Sequence, residues 1–241
     1  MFKVIVRNTY DEVSAEAFKV IQEVMQKEHP VLGLATGSTP LGLYREMIRD
    51  HKENGTSYKN TVTFNLDEYV GLPKNHEQSY YTFMHENLFR HIDCPEENIH
   101  IPEGDRPDEE QACLDYENAL KQYTVDVQVL GIGSDGHIAF NEPGTSFKSE
   151  THLMTLTEQT RRDNARFFNQ DIRQVPTTAI TQGLASIMRA DKILMIATGA
   201  NKADAVYGML KGAVSENCPA SILQNHPNVY VFLDQEAAAK I

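Results

Sequence analysis

The stretch VLGLATGSTPLGLY, residues 31–44, contains the pattern that decides the fold: a buried strand, a turn of small residues and the start of a helix. We predict that Thr39 caps this helix and that Pro40 takes its first position. Gly37 allows a tight turn, and the hydroxyl groups of Ser38 and Thr39 lie beside the free amides of the helix end, which is a natural cradle for phosphate. An ordinary capped turn is the alternative. The spacing of a Walker loop is absent.

Strands and helices alternate on both sides of this stretch. Apolar runs predict strands at 2–6, 31–35, 61–66, 125–130, 192–197 and 229–233, and amphipathic spacing predicts helices at 11–26, 78–89, 109–122, 158–169 and 201–210. This alternation indicates a Rossmann-like, doubly wound α/β fold with a mostly parallel sheet and helices on both faces. Ligands of such sheets bind beyond the carboxyl ends of the strands, so we expect a site at the loops after Ala35, Leu66, Leu130 and Ala197.

One of these loops repeats the first turn. The tetrad ATGA at 197–200 has the same place between a strand and a helix as ATGS at 35–38, which suggests one backbone geometry used twice. Lys202 then falls in the first turn of a helix, where the helix dipole is already positive. A bound anion would remove this conflict, and a solvated surface lysine is the alternative.

The glycine-rich segment LGIGSDGHIAFNEPG, residues 130–144, is the most informative. Its glycines formally match a dinucleotide-binding fingerprint. That fingerprint requires a helix, however, and Pro143 and Gly144 interrupt the residues that follow. It also requires an acidic residue at the end of a second strand about 20 positions later, and none is present. We therefore reject dinucleotide binding.

Asp135, His137 and Glu142 fall within eight residues of this segment. Two carboxylates beside one imidazole raise its pKa and orient the ring, which suits a general acid–base. A metal site is the first alternative, because zinc and manganese accept such ligands. With one local histidine and no HxH or HExxH pattern in the sequence, we predict no metal. A purely structural polar loop is the second alternative.

Two further segments offer charged side chains. Asp67 and Glu68 follow an apolar strand directly, where a carboxylate faces the expected crevice and suits a base for carbon-bound protons. A turn acid is the commoner reading of an isolated Asp. The segment TEQTRRDNARFF contains Arg161, Arg162 and Arg166, and surface pairing is the default for each of them. Sequence chemistry alone does not choose among these arginines.

Composition excludes several classes of protein. The 241 residues are 41% hydrophobic and carry a formal net charge of -12, which disfavours nucleic-acid and anionic-membrane partners. The chain shows no signal peptide, no apolar run of membrane-spanning length and no linker, so we expect one cytoplasmic domain over residues 1–241. Three scattered cysteines are typical of free thiols in a reducing compartment.

These segments together resemble the glucosamine-6-phosphate deaminases. The matching stretches, in order from about residue 31 to residue 222, are LGLATGSTPLGLY, FNLDEYVGL with HEQSYYTFM, GIGSDGHIAFNEPG, TRRDNARFF with QVPTTAIT, and TGANKADAV. The related 6-phosphogluconolactonases share the fold and a similar glycine-rich loop, but they lack the pairing of LDEYVGL with HIAFNEP.

The resemblance implies an isomerising deaminase of amino-sugar catabolism, a hydrolase that forms fructose 6-phosphate and ammonia. It assigns Asp67 as the base that moves a proton between C2 and C1, and His137 as the ring-opening acid–base, oriented by Asp135 and Glu142. The implied phosphate contacts are Ser38, Thr39, Arg166 and Lys202. It also implies a lid at about 156–179, and neither a cofactor nor a metal.

Other functions remain open at this point. A lactonase, or a ketose–aldose isomerase that keeps the amine, would use the same fold, and ammonia release separates these enzymes. A non-catalytic sugar-phosphate sensor is the alternative from another class. The acidic chain lacks a helix-turn-helix segment and retains Asp67 and His137, so we favour an enzyme.

We also predict no allosteric activation by N-acetylglucosamine 6-phosphate. Allosteric family members are hexamers that carry an Arg-x-Lys pair just before a Thr-Leu-Thr segment, together with a longer C-terminal tail. Here His152 and Met154 replace the two cations, and the sequence ends at Ile241. Losing two cations removes charge-assisted binding of the activator. We therefore expect a monomer rather than a hexamer.

Overall fold

A computed structural model describes residues 2–241. The strands are β1 (Phe2–Arg7), β2 (Val31–Leu34), β3 (Val62–Asn65), β4 (Asp67–Tyr69), β5 (Ile99–His100), β6 (Val127–Leu130), β7 (His152–Thr155), β8 (Thr178–Thr181), β9 (Ile193–Ala197) and β10 (Val229–Asp234). The α-helices are α1 (Tyr10–Val24), α2 (Leu41–Asn54), α3 (Tyr80–Asn87), α4 (Glu109–Leu120), α5 (Glu158–Asn164), α6 (Leu184–Ile187) and α7 (Ala203–Lys211).

Seven strands form a parallel sheet in the order β1-β10-β9-β6-β2-β3-β5. Every residue of β2, β6 and β9 is buried, as expected where helices cover both faces of a parallel sheet. The predicted doubly wound α/β class is confirmed. The strand order reverses direction between β2 and β6, and at such a switch point the loops diverge and leave a crevice.

A second, antiparallel sheet in the order β4-β8-β7 was not predicted. Its strands have only three or four residues, too few for an alternating pattern to stand out. The chain leaves the parallel sheet after Asn65 and enters the small sheet at Asp67. Across it, Asp67 pairs with Thr181. This change of sheet turns the residues after β3 toward the crevice.

All five predicted helices differ from the observed ones by one or more residues at an end, and two of the differences lie beside the cleft. The segment predicted as a helix at 158–169 is helical only to Asn164 and continues as the 3₁₀ turn Ala165–Phe167. Asn169 and Gln170 then adopt positive φ angles of 52° and 60°, which no helix continues through. The helix predicted from residue 78 begins at Tyr80, because the Ser79 side chain accepts the Thr82 amide as its cap.

The core consists of one large hydrophobic cluster around the parallel sheet and two smaller clusters. One small cluster joins the segment 156–179 to the second sheet through Tyr69, Phe140, Leu156, Phe168 and Val175. That segment therefore packs against Tyr69 and Phe140 through this cluster. No helix within residues 2–241 is long and apolar enough to cross a membrane.

Candidate active site

A cleft with a volume of about 390 Å³ opens at the switch point between β2 and β6. The loops after Ala35, Leu66, Leu130 and Ala197 all contribute to its lining, as the strand pattern predicted. Six of the eight predicted site residues line the cleft: Ser38, Thr39, Asp67, His137, Arg166 and Lys202. The other two, Asp135 and Glu142, lie behind His137.

We call the part of the cleft around Ser38, Thr39, Arg166 and Lys202 the anchor end. Gly37 has a φ of 88°, a conformation that glycine adopts without steric cost. Within residues 2–241, the backbone amides at 36–39 make no hydrogen bond. Unbonded amides at a helix N-terminus can bind an anion.

The predicted capping role of Thr39 is wrong. Helix α2 begins at Leu41, Pro40 takes the cap position, and no side chain caps the helix. Tyr10 from α1 partly replaces the cap, because its hydroxyl accepts the Gly42 amide at 2.6 Å and lies 2.9 Å from the Thr39 carbonyl oxygen. This contact crosses between two helices, so no local pattern in the sequence could have revealed it.

The structure separates the three arginines of the segment 160–168. The Arg161 guanidinium donates to the backbone carbonyls of Ile172 and Val175, and the exposed Arg162 pairs with Glu158. Arg166 lines the cleft, with Nη2 3.5 Å from Oγ of Ser38. Arg166 is therefore the arginine placed to contact a ligand of the anchor end.

Lys202 ends the 3₁₀ turn Ala200–Lys202 and takes the cap position of α7, one step before the predicted place in a helical turn. Burial lowers the pKa of its ammonium group and the nearby Arg166 charge lowers it further, while Asp163 and Asp135 oppose the shift. Because Lys202 and Arg166 disfavour each other's positive charge, an anion bound between them would stabilise both charges.

In another part of the cleft, which we call the chemical end, Asp67 is only 6% exposed. Burial raises the pKa of its carboxyl group to about 8, and the neighbouring Glu68 adds to the shift. Burial and the Glu68 charge are the two influences on this pKa, and no hydrogen bond from the described residues contributes to it. An unbonded carboxylate of raised pKa in a cleft is suited to accept a proton from a ligand.

The chemical end also contains His137, whose Nδ1 lies 2.7 Å from Oδ1 of Asp135 without forming an aligned hydrogen bond. Burial opposes ionisation of Asp135, but the His137 ring and amide outweigh it and lower the pKa of this carboxyl to about 2. Gly133 makes room for the ring, because a Cβ atom there would lie 2.3 Å from Nδ1. Ala139, which lines the cleft, holds a φ of 52°, a strained value of the kind found at functional sites.

Glu142 connects this loop to the segment 156–179. Its Oε1 accepts the Thr157 amide at 3.1 Å, and Thr157 in turn caps α5. Its buried Oε2 has no partner among the described residues. Ligand atoms of Asp135, His137 and Glu142 lie within 4.8 Å of one another, a spacing that could also hold a metal ion.

An aromatic wall of the cleft was not predicted. Tyr80 and Phe140 stack with their ring centroids 6.0 Å apart, and Tyr69 packs 4.8 Å from Tyr80. Burial raises the pKa of the Tyr80 hydroxyl well above its usual value, although a hydrogen bond with Thr36 opposes the shift. The run Ser79-Tyr80-Tyr81 offered a signal, but aromatic residues at the start of a helix more often belong to the core.

Known proteins resemble this chain over almost its whole length. The family model described as glucosamine-6-phosphate isomerases/6-phosphogluconolactonase matches residues 6–231. A glucosamine-6-phosphate deaminase of Halalkalibacterium halodurans is 48% identical over 241 residues, which cover 99% of this chain and 98% of that protein. Glucosamine-6-phosphate deaminase 2 of Bacillus subtilis is 47% identical over 242 residues, covering 99% of this chain and 97% of that one.

Solved structures show the same relationship. A monomeric glucosamine-6-phosphate deaminase superposes with a TM-score of 0.97 at 45% identity, over 99% of this chain and all of that chain (100%). The 6-phosphogluconolactonase of Trypanosoma brucei gives a TM-score of 0.81 at 25% identity, covering 100% of this chain and 99% of that chain. The deaminase is thus the nearer of these two in both sequence and structure.

Proposed function

This chain belongs to the family of glucosamine-6-phosphate isomerases and 6-phosphogluconolactonases, and we infer that it is a glucosamine-6-phosphate deaminase. It converts glucosamine 6-phosphate and water to fructose 6-phosphate and ammonia. Because water is consumed and the amine is released, we assign the enzyme to the hydrolases. Full-length identity of 48% and 47% to two deaminases supports this assignment over a lactonase.

One observation supports this function most strongly: the anchor residues and Asp67 line the same cleft. Phosphate binding at Ser38, Thr39, Arg166 and Lys202 would hold the sugar at C6. The sugar's C1 and C2 would then extend toward the chemical end. A lactonase hydrolyses an ester and needs no base for a carbon-bound proton, whereas a deaminase does, and Asp67 is unbonded and buried in the cleft.

The reaction follows from these positions. His137, oriented by Asp135 and Glu142, moves a proton between the ring oxygen and O1, which opens the sugar to its aldehyde. Asp67 then takes the C2 proton, and the resulting enolamine receives a proton at C1. The C2 imine adds water and expels ammonia. Each acid–base step contributes about 10²–10⁴-fold, so positioning through the phosphate supplies much of the remaining acceleration.

We propose that the segment 156–179 acts as a lid. It carries Arg166 into the cleft, shares a small apolar cluster with Tyr69 and Phe140, and is joined to the His137 loop by the hydrogen bond from the Thr157 amide to Glu142. A ligand phosphate that binds Arg166 would hold this segment over the cleft, which would exclude water from the enolamine.

We further propose that the protein is a monomer without an allosteric site for N-acetylglucosamine 6-phosphate. The solved deaminase that matches with a TM-score of 0.97 is described as monomeric. His152 and Met154, in the places of the two expected cations, both lie on β7. The three cysteines are free, which supports a cytoplasmic location.

A coupled assay tests the function directly. Purified protein with glucosamine 6-phosphate should release ammonia and fructose 6-phosphate in equal amounts, with a hyperbolic dependence on substrate. It should leave 6-phosphogluconolactone at its spontaneous rate of hydrolysis. Lactone hydrolysis without ammonia release would make the chain a lactonase, and isomerisation that retains the amine would make it an isomerase.

A further inference from the structure

Strand β4 has two faces, and only one of them belongs to the cleft. Side chains alternate along a strand, so Asp67 lines the cleft while Glu68 lines a second cavity of about 270 Å³ on the other side. Glu68 is only 5% exposed. The reaction described above gives no role to this second buried carboxylate, although burying a charge is costly unless the charge is satisfied.

Three backbone amides satisfy Glu68. Its Oε1 accepts the amides of Tyr69 at 2.8 Å and Tyr80 at 2.9 Å, and its Oε2 accepts the Tyr81 amide at 3.0 Å. Tyr80 and Tyr81 are the first two residues of α3, where unbonded amides and the helix dipole favour a negative charge. Glu68 therefore fastens β4 to the start of the helix that carries Tyr80 into the cleft wall.

The loop that contains Gly104 packs against β4 beside Glu68. Gly104 lies so near β4 that a Cβ atom there would be 2.0 Å from the Tyr69 carbonyl oxygen and 3.3 Å from Cγ of Glu68. The Gly71 amide donates to the Gly104 carbonyl at 2.8 Å. Gly104 thus packs directly against the Glu68 side chain, and the three bonds of Glu68 help to fix β4 beside Asp67.

We propose that Glu68 is a positioning residue for the C2 proton transfer, because it fixes β4 and α3 around Asp67 and places a negative charge beside this base. The inference rests on the proposed function, since it takes Asp67 as the base. Glu68 touches neither the substrate nor the reacting atoms, and it acts through Asp67 and the Tyr80 wall.

The surroundings of Asp67 and Glu68 determine the direction in which the pKa of each carboxyl group shifts. Burial raises the pKa of Glu68 to about 7 despite the three amide bonds, and burial together with the Glu68 charge raises the pKa of Asp67 to about 8. On the side of the second cavity and the core, the other titratable or charged groups around the pair are Tyr44, Tyr69, Lys74, Tyr80, Tyr81, His100, Glu103, Asp105, Arg106, Asp115 and Tyr116. On the side of the cleft they are Glu77, Glu86, His137, Asp163, Arg166 and Lys202. Removing the Glu68 charge therefore lowers the pKa of Asp67.

The variant Glu68→Gln tests this inference through kcat, KM and their pH dependence with glucosamine 6-phosphate. We expect kcat to fall at least about tenfold, because small displacements of a reacting group cost this much or more. The acidic limb of the kcat–pH profile should move to lower pH by about one unit, because the neighbouring negative charge is gone. Binding of inorganic phosphate should stay nearly unchanged, because the anchor end lies on other elements.

Two further variants separate charge from general damage. Glu103→Gln removes an exposed acid of the same second cavity that bonds neither β4 nor α3, and it should leave kcat and the pH profile unchanged. Glu68→Asp keeps the charge but withdraws it from the α3 amides, so kcat should fall while the acidic limb stays in place. If the Gln variant does not fold, the Asp variant still carries the test.

Two outcomes would overturn the inference: an unchanged kcat and acidic limb in Glu68→Gln, or a loss of kcat accompanied by an equal loss of phosphate affinity. The second pattern would mean that Glu68 supports only the fold. Failure of the proposed function is distinguishable, because the wild-type protein would then release no ammonia from glucosamine 6-phosphate.

Discussion

At the anchor end of the cleft, two cations and four unbonded amides surround an open space, whereas at the chemical end an exposed carboxylate, Asp135, and a buried one, Glu142, lie near a single imidazole. The four amides at the anchor end have no hydrogen-bond partner within residues 2–241. At the chemical end, Asp135 accepts the His137 amide and Oε1 of Glu142 accepts the Thr157 amide, whereas Oε2 of Glu142 has no partner among the described residues. This difference indicates that binding and proton transfer can be disturbed separately, one by changing affinity and the other by changing kcat.

The two ATG turns show how such a difference arises from similar sequence. Gly37 and Gly199 have φ angles of 88° and 92°, so the predicted reuse of one backbone geometry is confirmed at these glycines. In the second turn, however, Asp234 accepts the Gly199 amide and Glu236 accepts the Ala200 amide. Only the first turn leaves its amides open to a ligand, and the second contributes Lys202 instead.

The largest expected effect is at the chemical end. Asp67→Asn should lower kcat by about 10²–10⁴-fold, because the amide cannot accept the C2 proton. Affinity for fructose 6-phosphate should change little, because no anchor residue is altered. Steady-state kinetics and calorimetry check this division, and a large loss of affinity with kcat preserved would reverse the roles of the two ends.

The anchor end should respond in the opposite way. Arg166→Ala should weaken fructose 6-phosphate by about 1.5–3 kcal/mol, the typical contribution of a charge-assisted hydrogen bond. The matched control is Arg162→Ala, which removes an exposed guanidinium that pairs with Glu158 and should leave the affinity unchanged. Equal effects of the two substitutions on calorimetric affinity would mean that general surface charge, rather than the anchor, attracts the ligand.

Alanine substitutions at Gly37 and Gly199 compare the two turns directly, and their expected effects are smaller. Gly37→Ala and Gly199→Ala should each destabilise the fold by about 1–2 kcal/mol, because both φ angles are unfavourable for a side chain. Only Gly37→Ala should also weaken phosphate directly, since the amides of the other turn are already bonded. Thermal unfolding and phosphate titration of both variants measure the two effects, and an equal loss of phosphate affinity would remove the first turn from the anchor.

The smallest expected effect is that of metal removal. The spacing of Asp135, His137 and Glu142 would allow an ion, but His137 works as an acid–base only if its ring nitrogens are free of metal. Exhaustive chelation should therefore leave ammonia release unchanged. Activity that is lost to a chelator and restored by a divalent ion would assign this group to metal binding.

The sequence predicted the long, periodic elements and the loops that meet at the cleft, because strand burial and helix amphipathicity are local properties. It did not predict the sheet of β4, β7 and β8, whose strands pair across up to 114 positions, from Asp67 to Thr181. The choice of Arg166 over Arg161 and Arg162 depends on where the chain turns after α5. The contact of Tyr10 with the Gly42 amide and the contacts of Glu68 with the amides of α3 could not be predicted either. Their partners are backbone amides, which every sequence has, so no residue type indicates them.

The central claim is that Asp67 moves the C2 proton of a sugar held by its phosphate. The most direct test is deuterium incorporation at C1 of fructose 6-phosphate, formed from glucosamine 6-phosphate in heavy water, by NMR or mass spectrometry. The wild-type enzyme should introduce solvent deuterium during turnover, and Asp67→Asn, saturated with ligand, should show almost none. Near-normal incorporation by the variant would contradict the claim and place the base elsewhere in the cleft.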